Sequence, residues 1–287
     1  MNVSVVGAGR VGTAIAVLLG RAGHTVAAVS GRAASLDRAV RFLPDVPFLE
    51  PEDAARAGDL VVLAVPDDAI EPMAMRLANA GAFRSGQWVA HVSGSLGLDA
   101  LAAARDGGAG RVAIHPLQTF PDVAGAIDRI PGSAMALTAD DAEGYALGER
   151  IAADLRADPF RLEDAKRPLY HAAAVFASND LIVTSAIAEE LFRSAGVPEP
   201  RRAMLPLQRA SLDNVERLGP AAALTGPAVR GDASTIERNL EALREAAPDT
   251  VPAYIELCRV ALDIGVRARD LPDERRVAVE DVLSRWS

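Results

Sequence analysis

Cysteine is nearly missing from this chain: Cys258 is the single thiol among 287 residues. No disulfide can close within the chain and no cluster of thiolates can hold a metal, so no metal site is expected, and such usage suits a reducing compartment. Lysine is as scarce. Lys166 is the one lysine among 30 basic residues, so lysine-based chemistry has a single position to occupy. Excess positive charge is missing too, because 39 acidic residues leave a net charge of −9. That balance argues against unspecific binding to nucleic acid or to anionic membranes. No apolar run reaches the roughly 20 residues of a membrane span without a charge or a glycine interrupting it. No secretory signal fits the start, where the first apolar stretch has no charged segment before it, and a cytoplasmic location is expected.

The remaining composition is that of a globular protein, 50% hydrophobic and 24% charged, and the length exceeds a usual single core. Strand-like segments occur at Asn2–Val6, Thr25–Ser30, Leu60–Val65, Trp88–Val92, Arg111–Ile114 and Ser133–Leu137. Helical stretches such as Asp53–Ala57 and Ala69–Ala80 separate them, which predicts an α/β domain over residues 1–158 built on a doubly wound parallel sheet of the Rossmann type. After Asp158 the apolar spacing changes to a period of 3.6. Helices are expected over Asp164–Ser194, Ser211–Leu218, Thr235–Ala247, Val251–Ala268 and Asp273–Trp286, making residues 159–287 an all-α domain for substrate binding or dimerisation.

The first strand runs into Gly7-Ala8-Gly9-Arg10-Val11-Gly12 and then into an apolar helix. A GxGxxG triplet in that context predicts a dinucleotide site. Gly7 permits a tight turn, Gly9 lets the backbone approach a diphosphate, and Gly12 lets the helix pack against the strand, with free N–H groups facing the anion. The second strand ends in Ser30-Gly31-Arg32 instead of the carboxylate that would bond both ribose hydroxyls of NAD. A hydroxyl and a guanidinium suit a 2′-phosphate, so NADP(H) is the expected cofactor. Because ligands sit beyond the carboxyl ends of parallel strands, the loops at Gly7, Ser30, Pro66, Ser93 and His115 should share one crevice, with Val65 and Pro66 beside the cofactor.

Candidate chemistry lies in three places. His171, Ser178 and Asn179 fall within one broad face of a long helix, where a histidine can give a proton near neutral pH and an asparagine can hold a carbonyl. His115 ends a strand, where it can face the cofactor or cap a loop, and Ser93 and Ser95 follow the strand before it. The third is Leu224-Thr225-Gly-Pro-Ala-Val-Arg230-Gly-Asp232-Ala-Ser-Thr235, a tight loop opening a helix. Asp232 is expected to cap that helix, and Arg230 to clamp a carboxylate or to pair with an acidic neighbour.

The segments GAGRVG, AVPDDAI, HVSGS, HPLQTF, YHAAAVFASN and LTGPAVRGDAST, in this order, resemble a family of bacterial Rossmann-like proteins whose C-terminal helical domain is of unknown function. That family is similar to ketopantoate reductases, pyrroline-5-carboxylate reductases and 3-hydroxyacid dehydrogenases. The resemblance implies an NADPH-dependent reductase of a small 2-oxo acid, ketopantoate first. In the related dehydrogenases a helix carries Lys-x-x-x-Asn; aligning Asn179 with that asparagine puts Val175 in place of the lysine, so the proton donor is another group or is absent, with His171 the expected substitute and Lys166 a remote second. Asn179 and Ser93 would hold the substrate oxygen, and Arg230, Thr225, His115 and Ser95 would contact the substrate. A homodimer is expected from the apolar C-terminal helices. Two other readings stay open: an imine reductase of the pyrroline-5-carboxylate type, and a sensor that binds NADPH without catalysis.

Overall fold

Val3, Val5 and Val6 are fully or almost fully buried, and Asn2–Val6 forms the first strand, β1, one strand in from the edge of a seven-stranded sheet. The computed structural model describes the backbone of residues 1–287 and every side chain except that of Arg269. The chain divides into two compact units, Met1–Asn179 and Asp180–Ser287.

In the first unit β1 is followed by α1 (Arg10–Arg21), β2 (Thr25–Ser30), α2 (Ala33–Phe42), α3 (Pro51–Ala57), β3 (Leu60–Leu63), α4 (Asp67–Asn79) and β4 (Trp88–His91). Then come α5 (Ala102–Asp106), β5 (Gly110–Pro116), α6 (Val123–Arg129), β6 (Ala134–Ala139), α7 (Ala142–Asp154) and β7 (Asp158–Arg161). The strand order is β2-β1-β3-β4-β5-β6-β7. All four residues of β3 are buried, as expected of a parallel strand covered on both faces. One face packs Val3, Val5, Ile15 and Leu19 with residues of α6 and α7; the other packs Val61, Leu63, Ile70 and Leu77.

The sheet is parallel as expected at five of its six strand pairings; β6 alone runs antiparallel to its neighbour β5, pairing Pro116 with Met135 and Val112 with Ala139. The link between β5 and β6 holds one short helix, the seven-residue α6, in place of a full-length crossover helix, and the chain returns at the end it left. Two expectations need correction. His115 is inside β5, not in the loop beyond it. The first unit ends at Asn179 and not at Asp158, because β7 pairs with β6 and the start of the next helix, α8 (Arg167–Ser194), buries Arg167 completely. The four residues of β7 are all exposed and include a proline, an edge strand without an apolar signal.

In the second unit the rest of α8 is followed by α9 (Pro200–Leu218), α10 (Pro220–Ala223), α11 (Pro227–Arg230), α12 (Ala233–Ala246), α13 (Val251–Arg269) and α14 (Asp273–Arg285). Ile236, Leu240, Ile255, Leu262, Val279 and Leu283 form its core together with Cys258, a buried thiol whose pKa burial pushes up. Along α8, Leu169, Phe176, Ile182 and Val183 are exposed. By length and composition alone the stretch Asp164–Ser194 could cross a membrane, although Asp180 interrupts it.

Candidate active site

The glycine turn has the geometry its spacing implies. Gly7 lies at φ +109°, and a Cβ there would stand 2.5 Å from the Ala64 carbonyl carbon and oxygen and 2.8 Å from the Val65 nitrogen. At Gly12 a Cβ would meet the Gly7 oxygen at 2.2 Å. Gly9, by contrast, has open space beside it, the nearest atom to a Cβ being 3.9 Å away. The turn is held by Gly7 and Ala8 donating to the Ser30 carbonyl at 2.9 and 2.7 Å. It ends at the start of α1, where the N–H groups of Arg10, Val11 and Gly12 have no acceptor within the helix. A diphosphate would find there an unobstructed approach at Gly9, free donors and the positive end of the helix dipole.

The surroundings are basic. Arg32 is exposed at the start of α2, Arg38 Nη1 donates to the Ala8 carbonyl at 3.0 Å, and Arg10, Arg38 and Arg41 line a cavity of about 480 Å³. None of these four arginines forms an ion pair among the described residues. Ser30 differs from its expected role, since its hydroxyl is completely buried without a partner and only its carbonyl serves the turn. Val65 is half-buried and Pro66 exposed at the end of β3, next to β1 where the strand order reverses, the usual ligand crevice of such sheets.

Beyond β4 and β5 the structure gathers a second set of polar groups. Ser93 is buried, and its hydroxyl donates to Asp67 Oδ2 at 2.7 Å while accepting from the Ser95 and Leu96 nitrogens at 3.2 and 3.1 Å. Ser95 Oγ donates to the same carboxylate oxygen at 2.8 Å. Both hydroxyls are therefore occupied in shaping the loop, and Ser93 is not free to hold a substrate oxygen. Arg167, fully buried, donates to Thr138 Oγ1 at 2.9 Å and to the Ser93 carbonyl, and its Nε has no partner. The contrast with Arg111 is plain: that buried guanidinium grips Asp140 through two nitrogens at 2.8 and 2.6 Å. Among the described residues Arg167 has no carboxylate within bonding reach, and burial lowers its pKa.

Gly94 lies at the centre. A Cβ there would stand 2.8 Å from His171 Nδ1 and 2.9 Å from both Cε1 and Nε2 of His115, so the missing side chain is what lets two imidazoles close on one point of backbone. The two rings are 6.4 Å apart and nearly perpendicular, and His171 Nδ1 is buried without a hydrogen bond. His115 Nδ1 lies 2.8 Å from the Tyr170 hydroxyl. Burial, then the charge of Arg167, then His171 lower the His115 pKa to about 4. His91 is lowered to about 4 as well, chiefly by burial, and its ring pairs with the Ser93 nitrogen and the Gly97 carbonyl. Burial also pushes Tyr170 up to about 12.

Of the expected residues the fold thus unites His115, His171, Ser93 and Ser95. Asn179 is not among them: it is exposed, two turns or about 12 Å along α8 from His171. Lys166 is also exposed. Thr225 and Arg230 belong to the second unit, where Arg230 makes no ion pair among the described residues. Asp232 caps α12 as expected, accepting from Thr235 N at 3.1 Å and Thr235 Oγ1 at 2.8 Å. Asp67, Arg167 and Tyr170 escaped sequence reasoning. Asp67 reads as one of two acids opening a helix, and Arg167 follows a lysine in a charged stretch; neither pattern signals burial or a shared site.

Residues 1–116 match the Rossmann-like domain, and residues 133–261 match a domain of unknown function, DUF2520. None of the curated proteins matches the chain in sequence. Among solved structures, a Bacteroides fragilis protein named as a candidate NADP oxidoreductase superposes with a TM-score of 0.76 at 23% identity, over 91% of this chain and 98% of its own. An imine reductase from Myxococcus stipitatus, solved with NADP+, gives 0.68 at 16% identity over 100% and 99%. A Plasmodium falciparum pyrroline carboxylate reductase with NADP bound gives 0.57 at 13% identity over 92% and 98%. These likenesses establish the fold.

Proposed function

We propose that this chain, a Rossmann-like domain followed by DUF2520, is an NADP(H)-dependent oxidoreductase that reduces a small 2-oxo acid, ketopantoate being the first substrate to test. The observation that carries the reading is the pairing of a glycine turn open to a diphosphate at Gly9 with two histidines converging on Gly94. The dinucleotide fits the residues present. Gly7, Gly9, Gly12 and the first N–H groups of α1 would hold its diphosphate, and Arg32 with Arg38 would meet a 2′-phosphate. When bound, it supplies a hydride to an electrophilic carbon.

The side chains do the rest. His171 carries the proton for the substrate oxygen, since Val175 occupies the place of the related dehydrogenases' lysine. Asp67, through Ser93 and Ser95, holds the loop that presents Gly94, and Arg167 braces the same loop from beneath. A second reading, reduction of a cyclic imine, is favoured by the imine and pyrroline carboxylate reductases among the structural relatives. It needs less from His171, because a protonated imine is already electrophilic. NADPH oxidation at 340 nm with ketopantoate, other 2-oxo acids and pyrroline-5-carboxylate, with wild type beside His171→Ala, separates them. Loss of 2-oxo acid turnover in the variant supports the first reading; imine turnover that survives it supports the second. Binding of NADPH with no turnover at all refutes both and leaves a sensor.

The same reading includes a homodimer. The exposed Leu169, Phe176, Ile182 and Val183 of α8 form an apolar surface that a second copy would cover. A membrane fits it poorly, because Arg167 is buried at one end of α8 and Glu189 pairs with Arg201 of α9 near the other. Light scattering on the eluting protein tests this: a monomer at micromolar concentration refutes it.

A further inference from the structure

Building on the reductase reading, we propose that Tyr170 is a positioning residue that fixes the tautomer of His115, so that the neutral ring presents its Nε2–H as a hydrogen-bond donor to the substrate atom receiving the proton. The Tyr170 hydroxyl has one proton and, among the described residues, one partner, His115 Nδ1 at 2.8 Å. With the hydroxyl donating, Nδ1 is the acceptor, and a neutral imidazole that accepts at Nδ1 carries its proton at Nε2.

The surroundings keep that arrangement in place at neutral pH. Arg167, His171, Asp67 and Tyr170 face the His115 ring; burial and the first two disfavour a second proton, outweighing Asp67. Tyr170 retains its own proton because burial holds it at about 12. The tyrosine ring meets His115 edge to face, 5.5 Å between centroids at 86°, and Phe160 flanks its other side at 5.9 Å, so the hydroxyl is aimed by packing as well as by the hydrogen bond. His115 Nε2 then lies at Gly94 beside His171 Nδ1. A neutral imidazole N–H is too weak an acid to give its proton away, but it stabilises negative charge developing on an oxygen. The two histidines thereby divide the work: His115 polarises the bond and His171 carries the proton. This accounts for the one feature that makes His115 a poor acid, its lowered pKa, without removing it from the chemistry.

The test uses the full chain labelled with ¹⁵N-histidine, in which the two ring nitrogens of a fixed neutral tautomer give one pyridine-like and one pyrrole-like signal. The His115 signals are assigned by their loss in His115→Gln. The expected wild-type spectrum at pH 7 places the proton on Nε2. In Tyr170→Phe the two signals converge as the tautomers mix, the signals of His24 and His91 stay in place, and kcat falls on the order of tenfold with KM little changed. Wild-type His115 protonated at Nδ1, unaltered signals in Tyr170→Phe, or converged signals with unchanged kcat would each overturn the proposal. The wild-type spectrum decides the tautomer even if the variant does not fold. A fixed Nε2–H tautomer in a protein that turns over no carbonyl or imine substrate would instead refute the reductase reading.

Discussion

The glycine turn after β1 and the cluster around Gly94 both lie at the carboxyl ends of parallel strands of one sheet, yet they are built in opposite ways. Six consecutive residues make the turn, and its partners are backbone atoms: the Ser30 carbonyl holds it, and the Ala64 carbonyl lies against it. The cluster draws Asp67, Ser93, His115, Arg167, Tyr170 and His171 from four separate segments, and it is made by side chains that reach one another and the backbone of the 93–96 loop. A backbone device is specified by where side chains are missing. A side-chain device is specified by which ones the fold brings together, and it can include a buried cation with no counter-ion because no local rule forbids one.

The largest test of this difference is Gly12→Ala. A Cβ there would sit 2.2 Å from the Gly7 oxygen, so the turn must open, and NADPH affinity should fall at least about a hundredfold in a fluorescence titration, equivalent to the upper range of overpacking costs. The cluster should remain intact, seen as unmoved His115 ring signals; their displacement would show that the two devices are coupled.

Acid should break the cluster first. The folded-state pKa values of His91 and His115 are about 4, below the ordinary 6.5, so the unfolded chain binds protons more readily. Their contribution is complete above pH 6.5 and is lost as pH falls toward 4, about 3 kcal/mol for the fully buried His91 and less for the partly exposed His115, where solvent screening weakens it. Urea unfolding at pH 7, 6 and 5 measures it, and a flat profile would contradict the burial of His91.

Gly94→Ala is the counterpart of the first substitution. Its Cβ would press on both imidazoles, and kcat should drop on the order of tenfold while NADPH affinity stays within about twofold. Equal losses in both would mean that the cluster also shapes the cofactor turn. The smallest effect belongs to a feature outside either device. Asp232→Ala removes the cap of α12 and should lower stability by about 1 kcal/mol in thermal unfolding, with kinetics unchanged.

The β1 turn was legible because glycine spacing and a valine-rich strand are local signals, and so was the cap at Asp232. β7 was not, since an exposed edge strand of Asp-Pro-Phe-Arg has no alternation to read. The reversal of β6 was hidden in the shortness of α6. For Ser30 and Ser93 the residue type suggested ligand contacts, whereas the fold buries one hydroxyl and occupies the other. Asn179 followed from helical spacing, which places residues on a face but leaves open which stretch of a 28-residue helix meets the sheet.

The sequence by itself determined the α/β first half, the helical second half and the dinucleotide turn, because each rests on periodicity or on backbone freedom within a few adjacent residues. Only the tertiary structure decided that His115, Tyr170 and His171 meet over Gly94 and that Arg167 is buried beneath them without a carboxylate. Those contacts join residues up to 77 positions apart, as between His171 and Gly94, and burial, hydrogen-bond direction and charge at such a distance exist only once the sheet has closed.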